Sequence, residues 1–219
     1  MQPKFWLERW RNNQIGWHQP EHNTLLQTYW RELELDASVA AFVPLCGKSL
    51  DMRWLEQAGH DVIGVELSQL AAEGYFADSG EPAVVEDVDE FVRYKGRQTS
   101  ILKGDFFALT SSVFPRQLGV FDRGALVALP PPMRRRYVDH LLRVVPDGCR
   151  MLLLTFEYDQ NVVAGPPHCV LPEEVNEHYS ERCEIKQLDS IVTSALPPHF
   201  IEQGVAQVAE GVYLITKLQ

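Results

Sequence analysis

Residues 39–68 read VAAFVPLCGKSLDMRWLEQAGHDVIGVELS. An apolar run from Val39 to Leu45 stops at a turn holding Gly47, and a helical pattern follows. Leu50, Trp54, Leu55 and Ala58 share one helical face, with Ser49 as the expected N-cap and Gly59 as the left-handed stop. Asp61 to Glu66 then reads as a second strand around VIGV. The Gly47-Lys48-Ser49 triplet is how a phosphate-binding P-loop ends, but that loop needs its first glycine at position 42, where Phe42 stands. Pro44 also lacks the backbone N–H that would cradle a phosphate. What remains is strand, turn, helix and strand, the opening unit of a parallel sheet.

The distance from Gly47 to Glu66 narrows the ligand. In dinucleotide-binding folds an acid about 20 residues past the glycine turn accepts hydrogen bonds from ribose hydroxyls. An ionised carboxylate only accepts, which suits a vicinal diol. A pyrophosphate wants several small residues at the turn. Pro44, Leu45 and Cys46 make this one bulky. The site therefore favours a nucleoside without phosphates, and S-adenosylmethionine is the common cofactor of that description.

The rest of the chain extends the pattern. Residues 3–35 read as aromatic-rich helices broken at Gly16, with Asn23 capping the second piece. Ser68 caps a helix ending near Gly80. Further strands are read at Thr99–Lys103, Gly119–Phe121, Arg150–Phe156, Cys183–Leu188 and Val212–Thr216, with Phe91–Tyr94 as a small extra one. Helices are read after Pro130–Pro132 and over Pro172–Tyr179, a turn at Pro146–Gly148, a loop at 165–168 and a break at Pro197-Pro198. The expected fold is α/β, a doubly wound, mostly parallel sheet in one domain over residues 1–219.

Bulk composition excludes several classes. The 219 residues are 45% hydrophobic, enough for a core, and the net charge of −10 opposes broad binding to nucleic acid or anionic membrane. Cys46, Cys149, Cys169 and Cys183 show no CxxC spacing and read as reduced thiols of a cytoplasmic protein. No signal-peptide core and no run of about 20 apolar residues is found. The fold needs no partner, so a monomer is expected. His18 and His22 have helical metal-ligand spacing, but no third ligand follows, so no metal is expected. Arg134-Arg135-Arg136 reads as a solvated helix start.

Two more strand ends reach the same carboxyl edge. Asp105 can accept from an adenine amino group or merely cap a turn, and Phe106 can cover a ring face. Asp122-Arg123 ends the fourth core strand.

Several segments together resemble the thiopurine S-methyltransferase family. They are Trp6-x-x-x-Trp10, Trp17-His18-Gln19, VPLCGKS at 43–49, Gly59-His60-x-Val62-x-Gly64-Val65-Glu66, DRGALVA at 122–128 and Gly165-Pro166-Pro167. The resemblance implies a class I methyltransferase, Rossmann-like, with a seven-stranded sheet whose last strand is antiparallel. It implies S-adenosylmethionine as donor, S-adenosylhomocysteine as product and a small-molecule thiol as acceptor. Bacterial relatives are associated with selenium and tellurium compounds. By the family's motifs Trp10, Leu45, Glu66 and Arg123 line the cofactor, with Gly47 in the same turn, and Asp105 and Phe106 flank its adenine. Trp17 replaces the family's usual Phe, and His168 stands where Phe commonly follows Gly-Pro-Pro. Both belong to the acceptor side.

Arg123 is the expected catalytic residue, holding either the cofactor carboxylate or the thiolate. Asp122 either orients Arg123, relays a proton or caps a turn. Trp10 and Trp17 either form a lid within residues 1–35 or pin that segment to the core. Two other classes stay open: a nicotinamide-dependent oxidoreductase and a non-catalytic nucleoside-binding protein.

Overall fold

The structure is a computed structural model describing residues 3–194, 196 and 198–219. Two helices, α1 (Pro3–Arg11) and α2 (Thr24–Tyr29), lead by a 3₁₀ turn into β1 (Ala40–Val43). Then come α3 (Asp51–Gln57), β2 (Val62–Glu66), α4 (Gln69–Ser79), β3 (Val84–Val88), β4 (Phe91–Lys95) and β5 (Thr99–Lys103). The second half runs β6 (Leu118–Arg123), α5 (Pro131–Val144), β7 (Arg150–Glu157), α6 (Pro172–Tyr179), β8 (Cys183–Thr193), α7 (Pro198–Glu202) and β9 (Val208–Lys217).

One sheet holds these strands in the order β3-β4-β5-β2-β1-β6-β7-β9-β8. The run β5-β2-β1-β6-β7 is parallel, and β9 runs antiparallel between β7 and β8. The chain winds outward from β1 to β5, then returns to β6 on the other side of β1. That reversal opens a crevice at the carboxyl edge, where such sheets bind ligands. The seven strands from β5 to β8 are those the resemblance implies. The hairpin β3–β4 is an addition, paired antiparallel onto β5.

Period-two alternation sorts the strand residues between two cores. Phe42, Val65, Val120, Leu153 and Tyr213 face one side, under α5 and α6. Ala41, Val43, Phe121, Leu152, Leu154 and Val212 face the other, against Leu26 of α2, Met52 and Leu55 of α3 and Tyr75 of α4. Burial on both faces is why these strands read as continuous apolar runs.

The caps follow the local chemistry. Asn23 accepts from Leu25 N, and Ser68 accepts from Ala71 N. Gly59 and Gly80 sit at φ +102° and +67°. Ser49 stands one residue before the N-cap Leu50; its Oγ accepts from Asp51 N, the first N–H of α3, at 3.2 Å and also meets the Asp51 carboxylate and Arg123. Of the Pro-Pro break, Pro197 lies outside the described residues, and Pro198 opens α7.

Candidate active site

The site starts where β1 ends. After Val43 the backbone enters the left-handed region twice, at Leu45 (φ +46°) and Gly47 (φ +54°). Glycine adopts this freely, whereas leucine is strained there, and such strain persists where the surroundings over-determine it. The surroundings here are hydrogen bonds. Cys46 N donates to Val65 O at 3.0 Å, and Gly47 N donates to Glu66 Oε2 at 2.8 Å. Ser68 N donates to Glu66 Oε1 at 2.7 Å. Glu66 thus ties the turn after β1 to the turn after β2. It is buried, and desolvation pushes its pKa up, opposed by the backbone N–H groups it accepts from. Each carboxylate oxygen still has a lone pair to offer.

Trp10 covers this turn. A Cβ on Gly47 would stand 3.3 Å from Trp10 Cζ2, so the glycine is needed for the indole's close approach as well as for its φ. Trp17 meets Trp10 edge-on at 6.0 Å and Trp6 at 5.2 Å between ring centroids. The three indoles form one half-buried aromatic group carried by α1 and the loop after it. His18 and His22 lie in that loop, not on a helix, so the helical spacing does not bring them to one ion.

Arg123 and Asp122 separate across the sheet. Arg123 lies on the α2–α3 side, where its Nε donates to Asp51 Oδ2 at 2.6 Å and an Nη donates to Ser49 Oγ at 3.0 Å. Asp51 is buried and also accepts from Ser49 Oγ (2.8 Å) and from the backbone N of Asn23 (2.7 Å). The arginine is therefore fixed to the Gly47 loop and to the start of α2. Asp122 faces α5 instead, accepting from Tyr137 Oη at 2.7 Å and Leu126 N at 3.1 Å. Of the three roles open to Asp122, the hydrogen bonds are those of a turn cap, and none joins it to Arg123. Complete burial pushes its carboxyl up to about 6.

The remaining expected residues spread outward. Asp105 is exposed at the rim and accepts from Phe107 N at 2.9 Å, capping a 3₁₀ turn. Phe106 turns its ring into the core, 4.9 Å from the Tyr137 ring, so the ring face expected to cover adenine is already packed. His168 follows two cis-prolines, donates its backbone N to Val127 O at 2.7 Å, and buries its ring beside the Ala164 backbone. Burial lowers its pKa. Gly47, Glu66, Trp10 and Arg123 therefore gather at one edge and one face, while Leu45 stands at the same edge but packs against the α5-side core. Asp105 stands at the rim, and Asp122, Phe106 and His168 sit elsewhere.

Sequence reasoning missed Asp51 and Glu210. Asp51 reads as an ordinary first-turn acid. Glu210 of β9 is close enough for the Arg123 charge to pull its pKa down against a larger upward push from burial. Neither carries a local signal, because both matter through residues distant in sequence. A cavity of about 650 Å³ near Ser38, Asp61 and Arg116 opens at the opposite, amino-terminal edge and takes no part in this arrangement.

The fold belongs to the S-adenosylmethionine-dependent methyltransferases of class I. A methyltransferase from Anabaena variabilis superposes with TM-score 0.68 at 12% identity, covering 98% of this chain and 94% of that one. A Burkholderia thailandensis 1,6-didemethyltoxoflavin-N1-methyltransferase, solved with its substrate and S-adenosylhomocysteine, gives 0.64 at 14% identity, covering 99% and 87%. Within that class the chain belongs to the thiopurine S-methyltransferase family, whose model (Thiopurine S-methyltransferase, TPMT) matches residues 1–218. Thiopurine S-methyltransferases of Pseudomonas putida KT2440 and Shewanella oneidensis MR-1 are 41% and 42% identical to it, each covering 99% of this chain and 100% of the relative. It is a methyltransferase enzyme.

Proposed function

We propose that this enzyme transfers a methyl group from S-adenosylmethionine to the sulfur of thiopurines and other aromatic or heterocyclic thiols. The observation that carries the reading is Glu66. A buried carboxylate, fixed by Gly47 N and Ser68 N at the carboxyl end of β2, keeps acceptor capacity for a ribose diol. The Gly47 turn beside it is too bulky for a diphosphate, and Trp10 lies over it. These residues fit an uncharged nucleoside. Leu45 shapes the turn, Asp105 stands at the rim for the adenine amino group, and Phe106 supports that segment from beneath.

When bound, the donor supplies an electrophilic methyl on a sulfonium. Trp10, Trp17 and Trp6 exclude water from the reacting atoms, and an indole face attracts a cation by roughly 0.5–2 kcal/mol. A thiolate and a sulfonium lose their charges together as the methyl moves, so a dry site favours the transition state over the separated ions. Alignment supplies most of the acceleration, and aromatic thiols ionise readily enough that no strong base is required.

Arg123 has five N–H donors and spends two on Asp51 and Ser49. The others are free to hold the donor's carboxylate or the acceptor's thiolate. Residues 1–35 act as a lid, with Trp17 biasing the acceptor and the buried His168 acting on it only from behind the surface. Selenium and tellurium nucleophiles belong among the acceptors, since the same in-line transfer serves any soft chalcogen. We read the enzyme as monomeric and cytoplasmic; among the described residues no helix is long and apolar enough to cross a membrane. Labelled methyl donor with a panel of thiols, selenols and chalcogen oxyanions tests the reading. Transfer to aromatic thiols is expected, and donor binding without transfer to any acceptor would leave a nucleoside-binding protein instead.

A further inference from the structure

The Arg134-Arg135-Arg136 run starts α5 with Arg135 and Arg136 exposed, as a solvated helix start would, but Arg134 departs from that reading. Arg134 is 1% exposed and pairs with Glu174 at 2.6 Å. Arg135 is matched by Asp139 (3.4 Å) and Glu181 (3.1 Å). Arg136 lies 3.9 Å over the Phe107 ring and has no ion pair among the described residues. Arg143, seven residues on, has none either.

Positions 136, 140 and 143 follow the helical three- and four-residue steps, so Arg136, His140 and Arg143 line one side of α5. They wall a cavity of about 460 Å³ between α5 and Phe107, with Arg135, Asp139 and Pro132 completing it. His140 is 7% exposed, and its Nε2 is buried with no hydrogen-bond partner among the described residues. Two unmatched guanidiniums and an unsatisfied imidazole nitrogen around one cavity are an arrangement without an anion of its own. Of the carboxylates near it, Asp139 is already shared between Arg135 and Arg182, and Asp105, whose charge reaches His140, caps its own turn. In a chain of net charge −10 such a local excess of cations is not the average surface.

We infer that the Arg136–His140–Arg143 cavity is a binding site for a phosphate group. Guanidiniums present planar forks that match phosphate oxygens, and two of them balance a dianion. The imidazole, held at its other nitrogen by the Phe106 backbone, offers Nε2–H as a further donor when protonated beside the anion. This site lies on the α5 side of the sheet, apart from Glu66 and Arg123, and does not depend on the proposed acceptor.

The test uses the full chain in buffer free of phosphate and sulfate. Inorganic phosphate and phenyl phosphate are titrated separately while the His140 imidazole resonances are followed, with chloride at matched ionic strength as the control. Saturable shifts of His140 by phosphate but not by chloride are expected. The R136Q/R143Q variant should bind at least about tenfold more weakly while methyl transfer stays at the wild-type rate. Tighter binding of phenyl phosphate assigns the site to phosphorylated metabolites, and equal binding assigns it to free phosphate. Non-saturating shifts, or shifts that chloride or R136Q/R143Q reproduces, overturn the inference.

Discussion

Glu66 and Asp122 are both carboxylates at the carboxyl ends of parallel strands, both buried, and both pushed up in pKa by that burial. Their surroundings divide them. Glu66 shares its sheet face with Arg123 and accepts from backbone N–H groups of two turns that themselves border the crevice. Asp122 points through to the other face, where the Tyr137 phenol and Leu126 N occupy it. One residue of strand parity decides which carboxylate can meet a ligand. A perturbed pKa at a strand end is thus no guide to chemistry until its face and its partners are known.

The comparison breaks first at Glu66. Glu66→Ala should weaken S-adenosylhomocysteine binding about 100-fold, the loss of two charge-assisted hydrogen bonds, as read by isothermal titration. Asp122→Asn should leave that affinity within about twofold. If the two variants weaken binding alike, the division between them is wrong.

The two should part again in their stability against pH. A carboxyl at about 6 in the folded state and an ordinary value of 3.8 in the unfolded chain binds its proton more tightly when folded. Its stabilising contribution is full below pH 3.8 and is lost as pH rises towards 6. By linkage the wild type should lose about 3 kcal/mol relative to Asp122→Asn over that window and nothing further above it. Urea unfolding of both proteins from pH 4 to 8 measures the difference. A constant gap would mean that Asp122 is ionised throughout, with its Tyr137 bond offsetting the burial.

Much of this was legible in the sequence. The strands of the parallel core announced themselves because burial on both faces demands unbroken apolar runs, and Gly47 and Glu66 because a glycine turn and an acid stand at the spacing that dinucleotide-binding folds use. The β3–β4 hairpin was half hidden. Val84 and Val85 are 67% and 54% exposed at the sheet edge, so VVEDV lacks the alternation a half-buried strand would show. The apolar run predicts a strand over Gly119–Phe121, whereas β6 extends through Asp122 and Arg123, and alternation sends those two side chains in opposite directions. Asp51, Glu210 and the burial of Arg134 depend on partners tens of residues away, which no local pattern encodes.

Arg123 sharpens the comparison on the Glu66 face. Removing it outright strands the buried Asp51 carboxylate, a cost of about 3 kcal/mol that would mask any catalytic role. Arg123→Lys keeps the charge but loses the fork, so stability should hold while kinetics change. A guanidinium on the donor carboxylate predicts a KM for S-adenosylmethionine raised about tenfold with kcat kept; one on the thiolate predicts the reverse. Steady-state rates with the donor varied separate the two, and unchanged parameters would reduce Arg123 to holding Asp51.

The smallest effect is expected at Trp17. Its indole meets Trp10 and Trp6 edge to face. Trp17→Phe keeps an aromatic ring but shrinks the group that excludes water, and aromatic pairs of this geometry are worth about 0.5–1.5 kcal/mol. Donor affinity should fall by no more than about threefold, since Trp10 still covers Gly47. The ranking of acceptors should change more, because a smaller ring widens the space facing them. The ratio of kcat/KM for a bicyclic over a monocyclic aromatic thiol is the sensitive readout, and it should rise. A ratio that stays fixed while donor affinity drops would place Trp17 on the cofactor side of the crevice with Glu66, and the acceptor would then have to be sought nearer His168.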